Sequence, residues 1–169
     1  MGARLKRIDM RALVERNKLV KYPFSKSSLE KLIGVHPKLV DFIFELANVV
    51  DLKIVYGVRT DREQYELYKE HKSTFNGVTE KSNHQPKEDG FGYAIDALPL
   101  PKNINMYDDS DIENKLRWAQ FDGLCHGIAY KLGIKIRTGF KWRDNIMDSL
   151  ARNEKDNTLP DGNHLELVI

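Results

Sequence analysis

Apolar residues along the chain follow two rhythms, and each change of rhythm marks an element. Leu39, Phe42, Ile43, Leu46, Ala47 and Val50 recur at helical spacing after Pro37, which suits a first helical turn, so a core-facing helix is predicted there. Thr60-Asp61-Arg62-Glu63 reads as a capping box opening a helix that runs through Tyr65, Leu67 and Tyr68 to about Glu70. Ser110-Asp111-Ile112-Glu113 is a second, and its helix carries Leu116, Ala119, Leu124, Ile128 and Leu132 before stopping at Gly133. Ser25 to Leu32 is a short helical turn, and Met10, Leu13 and Val14 give a weak amphipathic pattern near the start. Period-two alternation marks the strands: Ile54, Tyr56 and Val58 within 52–59, then Tyr93 to Leu98, Ile134 to Arg137, and Leu165 to Ile169. Polar stretches 72–91 and 139–163 lie between, and the first is expected to form one long, ordered, functional loop. Helices and short strands mix without a regular βαβ alternation, which predicts an α+β fold with a small, mainly antiparallel sheet flanked by helices.

Composition narrows the classes. At 169 residues the chain fits one domain with a substantial core, and no apolar run approaches a membrane span, so no stable membrane insertion is expected. A net charge of +2, without an aromatic-basic stripe, argues against nucleic acid. The charge is uneven: Arg4, Lys6, Arg7, Arg11, Arg16, Lys18 and Lys21 face only Asp9 and Glu15. Residues 1–22 are therefore expected to be a basic N-terminal arm, open to loose attraction by an anionic polymer, with the main domain at 23–169. Cys125, the sole cysteine, excludes an intrachain disulfide and fits a small buried thiol. The start of the chain lacks the apolar segment of a secretory signal, and Lys6 stands where a myristoylation motif needs Ser or Thr. A cytoplasmic location is expected, unless something else releases the protein.

The candidate chemistry lies in two stretches. In Gly92-Tyr93-Ala94-Ile95-Asp96, alternation puts Asp96 on a face with Ala94 and Leu98, over open space where a metal or substrate fits. His84 precedes it in Ser82-Asn83-His84. Near the other end, Asp161-Gly162-Asn163-His164 leads into a strand whose His164 and Glu166 share one face. Two His and one Asp from separate strands suit a catalytic zinc, with a fourth position left for water. Asp161, three residues before His164, is then free to act as a base. Arg59 ends a strand just before a helix, well placed to meet an anionic or carbonyl group. His36 beside Pro37 is expected to be a cap, and His126 a surface or core-edge residue.

Several patterns together resemble one known family. They are Phe24-Ser25-Lys26-Ser27-Ser28-Leu29 with Gly34-Val35-His36-Pro37, Gly57-Val58-Arg59-Thr60 with Gln64 and Leu67-Tyr68, Ser82-x-His84, Gly92-x-Ala94-x-Asp96, and Asp161-x-x-His164-Leu165-Glu166. The family is the zinc D-alanyl-D-alanine carboxypeptidases and L-alanyl-D-glutamate endopeptidases, which share a fold with the Hedgehog signalling domain. Residues 24–169 most resemble its phage endolysin branch. One departure is plain: between His84 and Gly92 the stretch Gln85 to Phe91 holds about five extra residues, an insertion that costs little if its ends still meet. His71, the only nearby substitute ligand, falls at a helix end without the preceding Ser.

The resemblance implies one Zn2+ per chain held by His84, Asp96 and His164, with Asp161 moving the proton and Arg59 stabilising the oxyanion or a substrate carboxylate. It implies that Ser82, Gln64 and Trp142 serve substrate binding and that Glu166 orients a ligating histidine. The substrate is then the peptidoglycan stem peptide, cut by a monomeric endolysin that waits in the host cytoplasm until it is released to the cell wall. Two other readings stay open at this point: a D-alanyl-D-alanine carboxypeptidase with the same centre, and a non-catalytic zinc-containing cell-wall-binding module.

Overall fold

The computed structural model describes residues 8–100, 106, 112–139 and 163–169. Among them are five helices: α1 (Met10–Asn17), α2 (Lys26–Lys31), α3 (Pro37–Leu46), α4 (Asp61–Lys69) and α5 (Ile112–Lys131). Four strands accompany them: β1 (Leu52–Tyr56), β2 (Ala94–Pro99), β3 (Lys135–Thr138) and β4 (His164–Val168). The strands form one sheet in the order β1-β2-β4-β3, every pair antiparallel. The architecture is the expected α+β.

Local chemistry sets the element boundaries. The Thr60 hydroxyl accepts from the Glu63 amide while Glu63 accepts from the Thr60 amide, so the predicted capping box opens α4. Ser25 caps α2, and the His36 ring caps α3 by accepting from the Lys38 amide, with Pro37 in the first turn. His36 is thus the expected cap. The second predicted capping box lies mostly outside the described residues.

One face of the sheet supplies the core. Ile95 and Leu165 are fully buried there with Ile136, packed with Leu39, Phe42, Ile43 and Leu46 of α3 and Phe121 and Cys125 of α5. Burying such side chains contributes ~1.5–3 kcal/mol each against an exposed reference. With the helices on this side, the opposite face is free to carry polar groups.

The described part of the basic arm is anchored to this body. Asp9 caps α1, Leu13 is fully buried in the core, and the Arg16 guanidinium pairs with Asp41 while lying 4.5 Å from the Phe44 ring centroid. Asn17 then closes both ends of the turn to Phe24, accepting from its amide at 2.8 Å and donating to its carbonyl at 3.0 Å.

Candidate metal centre and cleft

Strand register builds the site before any loop contributes. Asp96 of β2 stands directly opposite His164 of β4, and the next pair on the same face is Ala94 opposite Glu166. On the other side of β4, Arg137 of β3 stands opposite Glu166. One sheet face therefore carries a carboxylate and an imidazole as a cross-strand pair, with a second carboxylate and a guanidinium one step along.

His84 comes down onto this face from the loop between α4 and β2, and two glycines let it do so. A Cβ on Gly57 would lie 1.8 Å from the Lys31 carbonyl oxygen, so only glycine lets β1 pass the end of α2 there. The Gly57 carbonyl accepts from His84 Nδ1 at 2.7 Å, which leaves Nε2 bare and aimed inward. A Cβ on Gly92 would sit 2.9 Å from the His84 carbonyl oxygen, so glycine is again what permits the loop to close over β2.

The extra residues between His84 and Gly92 form a closed excursion, its ends joined by the Lys87 amide on the Phe91 carbonyl at 2.9 Å. The insertion thus leaves His84 beside its partners. His71 stays at the C-terminal end of α4 with a positive φ of 56°, on the cleft wall and outside the cluster.

The three atoms that meet are His84 Nε2, His164 Nδ1 and Asp96 Oδ1. Their separations are 3.3 Å between the two nitrogens, 3.3 Å from His84 to Asp96 and 3.1 Å from His164 to Asp96. Tetrahedral zinc with ~2.0–2.1 Å bonds holds neighbouring donor atoms ~3.3 Å apart, so this triangle has the size of one tetrahedral face. All three residues are buried. The donor set fits a zinc-type cation in number, type and spacing.

Electrostatics agree with the geometry. Burial alone would push the Asp96 carboxyl up, but its contacts with the His164 and His84 rings outweigh it and hold the group well below the usual carboxylate range. Burial would likewise pull His164 down, yet Asp96 and Glu166 raise it to about 9. Glu166 is lowered to about 2 against its burial, by His164, Asn83 and Arg137. The negative field that favours a proton on His164 equally favours a divalent cation at its inner face.

The surrounding side chains divide the two carboxylates between them. Asp96 Oδ2 accepts from the Arg59 guanidinium at 3.0 Å, leaving Oδ1 to the histidines. Arg59 Nε is buried with no hydrogen-bond partner among the described residues, so donor capacity remains beside the cluster. Glu166 Oε2 meets His164 Nε2 at 3.2 Å, on the ring nitrogen opposite the cluster.

The sequence expectation of open space beside Asp96 is met differently: that residue is buried, and the two histidines and Arg59 fill the space. Gln64 is fully buried, its amide engaged by Ser73, the Phe75 carbonyl and the Ser82 hydroxyl. It holds the loop rather than lining the cleft. Ser82 lines the cleft, with its hydroxyl turned to Gln64. Asp161 and Trp142 lie outside the described residues.

A cleft of ≈ 1080 Å³ opens beside the two histidines, with His84 and His164 in its lining. Arg59, Lys69, Lys72, Lys81 and Arg137 all contribute to its wall, each paired with a carboxylate: Asp96, Glu66, Glu70, Asp61 and Glu166 in turn.

Sequence reasoning missed three residues here: Gly57, which anchors His84 through its carbonyl, and Asn83 and Arg137, which grip Glu166. Asn83 was visible as the middle residue of Ser82-x-His84. The other two become significant only once strands are paired.

Residues 20–168 match a family model described as phage L-alanyl-D-glutamate peptidase. Among solved structures, the crystal structure of the Serratia marcescens L-Ala D-Glu endopeptidase ChiX is similar, with a TM-score of 0.58 at 24% identity. The match covers 83% of this chain and 86% of that one, and at this identity it establishes the fold. No curated protein sequence matches the chain.

Proposed function

The chain belongs to the phage L-alanyl-D-glutamate peptidase family, and from that premise we propose that it uses one zinc ion, held by His84, Asp96 and His164, to cut the stem peptide during host lysis. As a member of that family it is a peptidase acting on the L-alanyl-D-glutamate bond of peptidoglycan. The observation that carries the metal reading is the triangle of three donor atoms with sides of 3.1–3.3 Å.

Bound zinc supplies Lewis acidity, which makes a water molecule nucleophilic near neutral pH and polarises a carbonyl. The chain's own residues do the rest. Asp161, three residues before a ligand, takes the proton of the attacking water and delivers it to the leaving amine. Arg59, fixed by Asp96 and lining the cleft, donates to the oxygen that gains charge at the scissile carbonyl; such a donor typically contributes ~3 kcal/mol to the rate. Glu166 keeps the His164 ring turned so that Nδ1 faces inward. Ser82, which lines the cleft, and Trp142 are taken as substrate contacts. Lysis is the use that a phage has for such an enzyme, and in this reading the protein stays in the host cytoplasm until the membrane is opened.

Digestion of purified peptidoglycan, followed by mass spectrometry of the new ends, tests this reading. The expected products carry new D-glutamyl amino termini, and release of free D-alanine instead would mark a carboxypeptidase. Metal analysis should find one zinc per chain. Asp161→Ala should hold that zinc yet release no peptide; a variant as active as the parent would remove Asp161 from the mechanism, and a parent chain that releases no peptide would favour a mere binding module.

A further inference from the structure

Two residues on the cleft wall have no part in the reaction described above, yet both end on the same buried oxygen pair. Asn83 Nδ2 donates to Glu166 Oε2 at 2.7 Å, and Arg137 Nε donates to Glu166 Oε1. Glu166 is itself buried and holds His164 Nε2 on the oxygen that Asn83 also uses.

We propose that Asn83 and Arg137 are positioning residues that act through Glu166 to set how tightly the His84–Asp96–His164 group retains its metal. The proposal rests on the reading of that group as a metal centre. A buried carboxylate is costly unless its oxygens are paired, and these two donors pair them and fix the group beside His164. Because a carboxylate accepts only, the Asn83 amide must present its NH2, and no apolar or anionic side chain can replace it.

Position gives Asn83 a further effect. It precedes His84 in the loop, and its own carbonyl accepts from the Tyr93 amide at 2.7 Å, so the side chain starts from a fixed point. Its bond to Glu166 ties the loop that carries one ligand to the strand that carries another. Arg137 does the same from the far side, as the cross-strand neighbour of Glu166. The ligand spacing is thereby set by two contacts that touch neither substrate nor metal.

The test measures zinc retention without substrate, by competition with a chromophoric chelator and by the rate of zinc loss from the holoprotein. Asn83→Ala and Arg137→Met are each expected to retain zinc ~10–100-fold less tightly, the usual cost of removing an outer partner of a ligating histidine. Asn83→Asp keeps the size of the side chain but turns donor to acceptor, and is expected to lose as much. In a Glu166→Ala background Asn83→Ala should cost nothing more, whereas a merely structural role would cost the same in both backgrounds. Metal-free melting curves of each variant establish that the fold is intact. Wild-type retention in Asn83→Ala and Asn83→Asp, or an undiminished loss in the Glu166→Ala background, would overturn the proposal and leave the metal centre standing. A parent chain that binds no zinc would overturn both.

Discussion

The two histidines that meet Asp96 are held in opposite ways. His84 is fixed by a backbone carbonyl, that of Gly57, at 2.7 Å. His164 is fixed by a side chain, Glu166, which in turn depends on Asn83 and Arg137. A backbone anchor is neutral, and it can be disturbed only by moving the chain. A carboxylate anchor carries charge and can be deleted in one substitution. The His84 side should therefore fail by misfolding, and the His164 side by losing metal from an intact fold.

Gly57→Ala tests the first half and should have the largest effect. Its Cβ would meet the Lys31 carbonyl at 1.8 Å, so the backbone must shift, and a loss of about 3 kcal/mol in urea unfolding is expected. A stable Gly57→Ala protein that still holds zinc would break the comparison. Glu166→Gln tests the second half: melting temperature nearly unchanged, zinc retained ~10–100-fold less tightly in chelator competition. Equal loss of stability in both variants would erase the distinction.

His36 sharpens the contrast, because it is also buried and holds a backbone amide with its ring. Burial, and to a lesser degree Lys38, lowers its pKa despite the nearby charge of Asp89, whereas the carboxylates around His164 raise that ring to about 9. A folded chain that binds this proton less readily than the unfolded chain gains stability as pH rises. The His36 contribution is thus intact above the unfolded pKa of ~6.5 and lost as pH falls below it, by at most ~1.4 kcal/mol per pH unit. Urea unfolding at pH 7 and pH 5 should show this fall, and His36→Asn, a cap that does not titrate, should flatten it. The smallest effect is expected far from the site. Nothing lies within 4 Å of a Cβ placed on Gly127 in α5, so Gly127→Ala should stabilise by ~0.5–1 kcal/mol and leave zinc retention alone.

Much of this was legible in the sequence. The capping box at Thr60, the α+β class and the family are borne out, and the residues chosen as ligands do converge. Those features are local: a cap is four residues, and a ligand announces itself by its side chain. The anchor of His84 was not legible, because every residue has a carbonyl and only packing selects that of Gly57. Arg137 was hidden for a related reason. Nothing near it in the chain names Glu166 as its neighbour; the pairing of β3 with β4 does. The resemblance assigns Gln64 to substrate, and no local pattern shows that loop 72–91 folds back over it and buries its amide. Asp161 and Trp142 lie beyond the described residues.

The cross-strand pairing of Asp96 with His164 also bears on timing. The two positions are 68 residues apart, so a ribosome that has finished the first has yet to supply the second. Until β4 docks, the growing polypeptide owns two donors and no blade. The donor triangle is therefore complete only once β4 is in place, and contacts so distant in sequence form late.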